Sequence, residues 1–241
     1  MDVADFTGGG APLLGEPPPI ELANTAHAVR GRRRDGLLTT EHLAAWLRDM
    51  RPRLAVPLTD ADLRGVTDDD LARARELRDA VRSLAAATAT LCAAHDGDRE
   101  AGGAGEDGVA ATRTTGADLA EPRPGSRATP PTPGHPVLDP RAAETLNRHA
   151  RRSPRWRELL LDPEPHAVVR SADRPVAAAL AALAEEAIDL FAGPVRHKLR
   201  ACQGPGCILH FVRESPRREW CSPGCGNRAR AARHYAKVRR P

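Results

Sequence analysis

Four cysteines lie within 24 residues near the end of the chain, Cys202, Cys207, Cys221 and Cys225, spaced C-x4-C-x13-C-x3-C. Two close pairs separated by a short ribbon can deliver four thiolates to one tetrahedral zinc ion at about 2.3 Å each. Both pairs, "CQGPGC" and "CSPGC", place Pro-Gly just before the second cysteine. Glycine there allows the tight turn that points backbone N–H groups at the sulfurs. Between the pairs, residues 208–214 can form a strand, 215–217 a turn and 218–220 the returning strand, with Leu209, Phe211 and Trp220 as a small apolar plug. Cysteines that serve as small hydrophobes, or a thiol redox cluster, are the competing readings. The paired spacing favours one structural zinc, and four thiolates leave no coordination position open for catalysis. His210 points away from the cluster by strand alternation and is not counted as a ligand. Cys92, alone near a helix end, reads as an ordinary buried thiol.

Zinc requires reduced thiols. No basic segment followed by an apolar run opens the sequence, and the longest apolar stretch, residues 175–184, is far shorter than the roughly 20 residues that span a bilayer. The chain reads as cytoplasmic with no membrane partner, where clustered cysteines bind metal more often than they form disulfides.

At 241 residues the chain suits a main domain plus a small module. Aromatics make up only 3% of it, so the core must be built from Leu, Val and Ala between helices, giving a mainly α fold with a small β element. Residues 11–25, rich in Gly and Pro, read as an extended leading segment or loose hairpin. Thr39 or Thr40 caps a helix with Leu43, Trp46, Leu47 and Met50 on one face, ended by Pro52. The acidic 67–70 stretch opens a long helix with Leu77, Val81, Leu84, Thr88 and Leu91 in one stripe, reaching about Ala94. Residues 95–136 carry almost no large apolar side chain and read as a disordered insert. Asp139 and Pro140 start the next helix. Residues 155–161 and 166–170 flank a turn-like "DPEP" as a hairpin, although the first of them also suits a helix. Asp173 and Pro175 start a last body helix with Val176, Leu180, Leu183, Ala187 and Leu190 inward, ended at Gly193–Pro194.

Charge divides the chain at the same place. Residues 194–241 hold 12 Lys+Arg against 2 Asp+Glu, a balance of +10, which leaves 24 against 30, or −6, in residues 1–193. Arginine abundance alone says little in so Ala-, Pro- and Gly-rich a sequence; its clustering points to a polyanion. After Cys225 the residues are good helix formers, so a knuckle, a hairpin and a helix make a treble-clef-like module. Arg230, Arg233, His234, Lys237 and Arg240 share one broad side of that helix, with Ala229, Ala232 and Ala236 opposite. A slim basic helix fits a DNA major groove about 12 Å wide. Arg217 and Arg218 at the turn, with Arg213, add backbone contacts. Asn227 caps the helix or bonds a sulfur, while Arg228 either screens the −2 charge of a Zn(Cys)4 centre or reaches DNA. No phosphate loop, nucleophile elbow or open metal site is visible, and His27 and His42 are lone histidines, so an enzyme is not expected.

The motif "CGNR" at 225–228, with "RREWCS" before it and "RHY" after, resembles the CGNR zinc finger, and Glu21, Leu22, Asn24 and Thr25 resemble the "LDLANT"-type opening of the ABATE domain, with Glu for Asp. That resemblance covers nearly the whole chain apart from 95–136. It implies an ABATE-like helical domain at 11–193 and a CGNR-type finger at 194–241, in a bacterial family of stress-related transcription regulators. Many fingers of this type place four rather than three residues in the second cysteine pair, and the insert is longer than expected. The implied function is a DNA-binding regulator whose body senses a small molecule or forms a homodimer. A zinc-stabilised protein-interaction module and a thiol redox switch remain the alternatives. Asn24 and Thr25 are expected to knit the leading segment to the first helix.

Overall fold

The computed structural model of the chain describes residues 10–102 and 137–238. Helix α1 (Pro18–Asn24) starts at three successive prolines, with Pro17 in the capping position. Proline lacks only an N–H that the first turn leaves unpaired anyway, so a run that reads as a breaker begins a helix. The expectation of an extended segment or loose hairpin over residues 11–25 is corrected accordingly. The hairpin comes next: β1 (Ala26–Val29) pairs antiparallel with β2 (Arg32–Asp35), in the register Ala26↔Asp35 to Val29↔Arg32. Its two-residue turn has positive φ at both positions, 51° at Arg30 and 76° at Gly31, the twist that suits a tight hairpin.

Helix α2 (Thr40–Met50) is capped by the Thr39 hydroxyl, which accepts from the His42 N–H, and it buries Leu43, Trp46, Leu47 and Met50. Each such burial contributes about 2 kcal/mol. Pro52 then sits in a 3-10 turn, Arg51–Arg53. Helix α3 (Asp60–Arg64) carries a capping box between Thr59 and Asp62. The same reciprocal pattern, Asp70 Oδ2 accepting from Thr67 N–H and Thr67 Oγ1 from Asp70 N–H, opens the long α4 (Asp68–Gly102). Residues 95–102 thus extend this helix instead of beginning a linker; the rest of the segment read as disordered insert, 103–136, lies outside the described residues.

Asp139 caps α5 (Pro140–Ala150). Strands β3 (Arg155–Leu160) and β4 (His166–Ser171) form the second hairpin, so residues 155–160 are strand rather than helix. Helix α6 (Pro175–Ala192) has Arg174, not Asp173, in the capping position; the Asp173 N–H donates instead to Ser171 Oγ. The body is a helical layer in which α4 packs against α1, α5 and α6 around a core of Leu, Ala and Val side chains with Trp46 as a large buried aromatic.

A 3-10 turn, Pro194–Lys198, leads to β5 (Leu199–Ala201), which pairs antiparallel with β6 (His210–Val212); α7 (Pro223–Val238) follows. The expected ribbon, 208–214 returning along 218–220, is therefore corrected. The partner of the 210–212 strand lies upstream of the first cysteine, so the first pair occupies the hairpin tip, where the Cys202 N–H donates to the Leu209 carbonyl. Strand alternation then splits the ribbon between two cores. Leu199 and Val212 join the body core, whereas Leu209 and Phe211 join the cysteines and Trp220 in a second, small cluster.

Candidate metal centre

Cys202 and Cys207 stand at the β5–β6 tip, and Cys221 and Cys225 bracket the start of α7. One Sγ from each lies within 4.8 Å of all the others, with Cys221–Cys225 at 3.4 Å and Cys207–Cys221 at 3.8 Å. A tetrahedron with zinc–sulfur distances of about 2.3 Å has sulfur edges of about 3.8 Å. These separations suit that ion and are far from a bonded S–S pair of about 2.05 Å; all five cysteines are free. The cluster is the site of a single structural zinc.

The surroundings favour thiolates. Gly204 and Cys221 donate their N–H groups to Cys202 Sγ, each at 3.4 Å, and Arg228 donates to Cys225 Sγ at 2.9 Å. Hydrogen bonds from the neighbouring thiols, Cys207 first, bring Cys202 down to about 7, and those from Cys202 first also lower Cys225. The same bonds, with Cys202 again the first partner, raise Cys207 and Cys221. Four sulfurs this close cannot all carry charge without a cation among them, which is what zinc supplies.

Glycine has three distinct duties here. Gly206 takes a positive φ of 70°. A Cβ on Gly204 would stand 3.0 Å from Cys225 Cβ and 3.5 Å from Cys202 Sγ, and one on Gly226 would meet the Trp220 ring at 3.0 Å. Gly224, in contrast, is helical: α7 already starts at Pro223, with Ser222 Oγ accepting from the Cys225 N–H at 3.3 Å. Asn227 therefore does not cap the helix. It is exposed and accepts from Arg230 at 2.6 Å.

The finger is tied to the body by buried polar groups. Asn24 Nδ2 donates to the His210 carbonyl at 2.9 Å, and the His210 N–H donates to Asn24 Oδ1 at 3.0 Å. The side-chain amide thus imitates a strand partner for β6. Thr25 stays local, its hydroxyl donating to the Leu22 carbonyl, so of the expected pair only Thr25 serves its own helix. Glu16 accepts from the Val212 N–H at 2.8 Å and pairs with Arg218. Burial lifts the Glu16 carboxyl above its ordinary range, and the Val212 and Arg218 donors pull it partly back. Glu21, fully buried, accepts from the N–H groups of Leu14 and Glu16 and from Arg53. At the far side, Asp96 accepts from Arg200 at 2.7 Å and Arg213 at 2.9 Å. Sequence reading missed Glu16 and Asp96, whose finger partners lie more than 100 residues away.

The candidate DNA-facing arginines divide by environment. Arg218 is half-buried, lies 4.8 Å over the Phe211 ring and donates to the Val212 and Cys221 carbonyls as well as to Glu16. Arg228 faces the sulfurs. Arg217, Arg230, Arg233 and Lys237 are exposed, with Arg230 and Arg233 each 5.8 Å from the Trp220 ring centre. Arg240 lies outside the described residues.

His210 is buried, its Nδ1 has no hydrogen-bond partner among the described residues, and burial, aided by Arg82, lowers it to about 4 from 6.5. The unfolded chain takes up a proton near 6.5 that the folded chain refuses until about 4, so this stability is present above 6.5 and lost as pH falls between those values. The loss amounts to up to about 3 kcal/mol. Urea melts at pH 7 and 4.5 should show a smaller acid penalty in His210→Gln than in the parent; an identical penalty would exclude this source.

Comparison with known families gives two matches. The CGNR zinc finger model matches residues 198–238, and the ABATE model, described as "Putative stress-induced transcription regulator", matches residues 16–194. Neither is described as an enzyme family. No curated protein matches the chain. Among the described residues, no helix is long and apolar enough to cross a membrane.

Proposed function

This chain belongs to the ABATE family and ends in a CGNR zinc finger, and from that premise we propose that it is a DNA-binding transcription regulator whose zinc site aims α7 at the duplex. We divide it into a sensing or dimerising body, residues 11–193, and a DNA-contacting finger, residues 194–241. The observation that carries the reading is the exposure of α7. Its buried residues are Cys225 and Gly226 alone, while Arg230, Arg233, His234 and Lys237 stand in solvent with no carboxylate partner among the described residues. The zinc tetrahedron fixes the helix at its root, and the Trp220 ring lies near the Arg230 and Arg233 guanidinium groups, which reduces the side-chain freedom those two lose on binding a phosphate chain.

An open cavity of about 570 Å³ between α4, the end of α6 and the Pro194–Lys198 turn supports a sensing role. Leu84, Leu91 and Phe191 line it together with Asp96, which holds Arg200 and Arg213 of the finger.

Binding of the zinc-loaded chain to a duplex, followed against salt, tests the reading. The logarithm of the affinity should fall linearly with log salt, and the double variant Arg233→Gln, Lys237→Gln should flatten that slope by about 2, at about 0.9 per phosphate contact. No binding at low salt, or affinity indifferent to salt, would overturn it.

A further inference from the structure

The β1–β2 hairpin carries four arginines in five residues, Arg30, Arg32, Arg33 and Arg34, all exposed and none paired with a carboxylate among the described residues. The register sets Arg32 and Arg34 opposite Val29 and His27, and Arg33 opposite Ala28. Side chains alternate across a strand, so the charges project from both faces of the ribbon. Arg30 sits at a turn position of positive φ that usually goes to Asn, Asp or Gly. The tip thus carries a fourth cation at a position where local geometry disfavours it.

The location turns this charge into a site. A Cβ on Gly206 would stand 3.2 Å from the Gly31 Cα, so the hairpin tip packs on the first cysteine knuckle. Gly204, two residues back in the same knuckle and so about two Cα steps of 3.8 Å away, packs against Cys225 at the root of α7. A single knuckle thus joins the basic hairpin of the body to the basic helix of the finger.

We infer that the β1–β2 hairpin is a second contact with the phosphate backbone of the duplex that α7 engages, making the DNA-binding surface a composite of body and finger. The inference rests on the proposed DNA-binding role of α7. Four guanidinium groups on one short hairpin, with no paired carboxylate among the described residues, repel one another in the free protein, and a phosphate chain removes that repulsion while offering each a two-pronged partner. The contact adds affinity and fixes orientation without reading sequence.

The test uses the full zinc-loaded chain and a 30-bp duplex, with affinity measured by fluorescence anisotropy across salt. The triple variant Arg32→Gln, Arg33→Gln, Arg34→Gln should lower the salt slope by about 2 to 3 and weaken binding on the order of 100-fold at 0.1 M salt; the corresponding triple Arg→Lys variant should keep most of the slope. In the unaltered chain, duplex should protect Arg30 to Arg34 from phenylglyoxal, read by mass spectrometry, which needs no variant to fold. Wild-type slope and affinity in the glutamine variant, or full phenylglyoxal reactivity on saturating duplex, overturns the inference while α7 still binds. No duplex binding by the unaltered chain overturns the proposed function and this inference together.

Discussion

Cys225→Ser will lose zinc and, with it, the ordered α7, while the helical body stays folded. Cys225 is fully buried in the first turn of the helix, and its sulfur is the one that Arg228 bonds. Beyond that turn nothing else of α7 is buried, so the helix has no apolar face to hold it. A 16-residue helix without such a face is marginal in water. A structural zinc site contributes about 10–16 kcal/mol at neutral pH, far more than the helix can recover from its own propensity. The body is differently placed. Its core is separate from the zinc cluster, and Leu199 and Val212 belong to that core, so β5 and β6 remain anchored from their inner side. Metal analysis should show about one zinc per parent chain and almost none per variant, and the variant should lose helical circular dichroism equivalent to α7 with a body melt largely retained. Retained zinc or undiminished helicity would show that α7 does not depend on the metal.

The same division between local and distant determinants explains what the sequence disclosed. Caps at Thr39 and Asp139 and the apolar stripes of α2, α4 and α6 are written within a few residues, and they are found as read except at Leu91, which is half-buried at the open cavity. The cysteine spacing is equally local, and the four sulfurs do meet. What escaped was pairing at a distance. The turn residues at 215–217 suggest pairing of 208–214 with the segment that follows, yet the strand is His210–Val212 and its partner is Leu199–Ala201, a three-residue strand with no periodicity to reveal it. Asp96 sits in a stretch whose composition suggested disorder, but α4 continues far enough to bring it to Arg200 and Arg213. Arg218 looked like one more surface cation. Only the folded chain shows Glu16, buried and 202 residues away, waiting for it.

Asn24 is where this distance matters most, and Asn24→Ala should cost about 3 kcal/mol. The side chain is fully buried and gives the backbone of His210 both a donor and an acceptor. Alanine removes both, leaving an N–H and a carbonyl in a buried joint, where each unsatisfied group costs about 1–3 kcal/mol. For a domain of this size that corresponds to a melting temperature lower by about 6–12 °C. Because β6 leads directly from Cys207, the same change should let a chelator strip the zinc faster, although no ligand has been touched. Asn24→Asp separates the two bonds: a carboxylate still accepts from the His210 N–H but faces the His210 carbonyl with like charge, so it should be no better than alanine. A melting temperature within 1–2 °C of the parent, about the 0.5 kcal/mol effect of an ordinary surface change, would mean that the Glu16 and Asp96 ion pairs and the burial of Leu199 and Val212 hold the finger to the body without Asn24. A large loss with unchanged chelation kinetics would place the role of Asn24 in the body rather than in the joint.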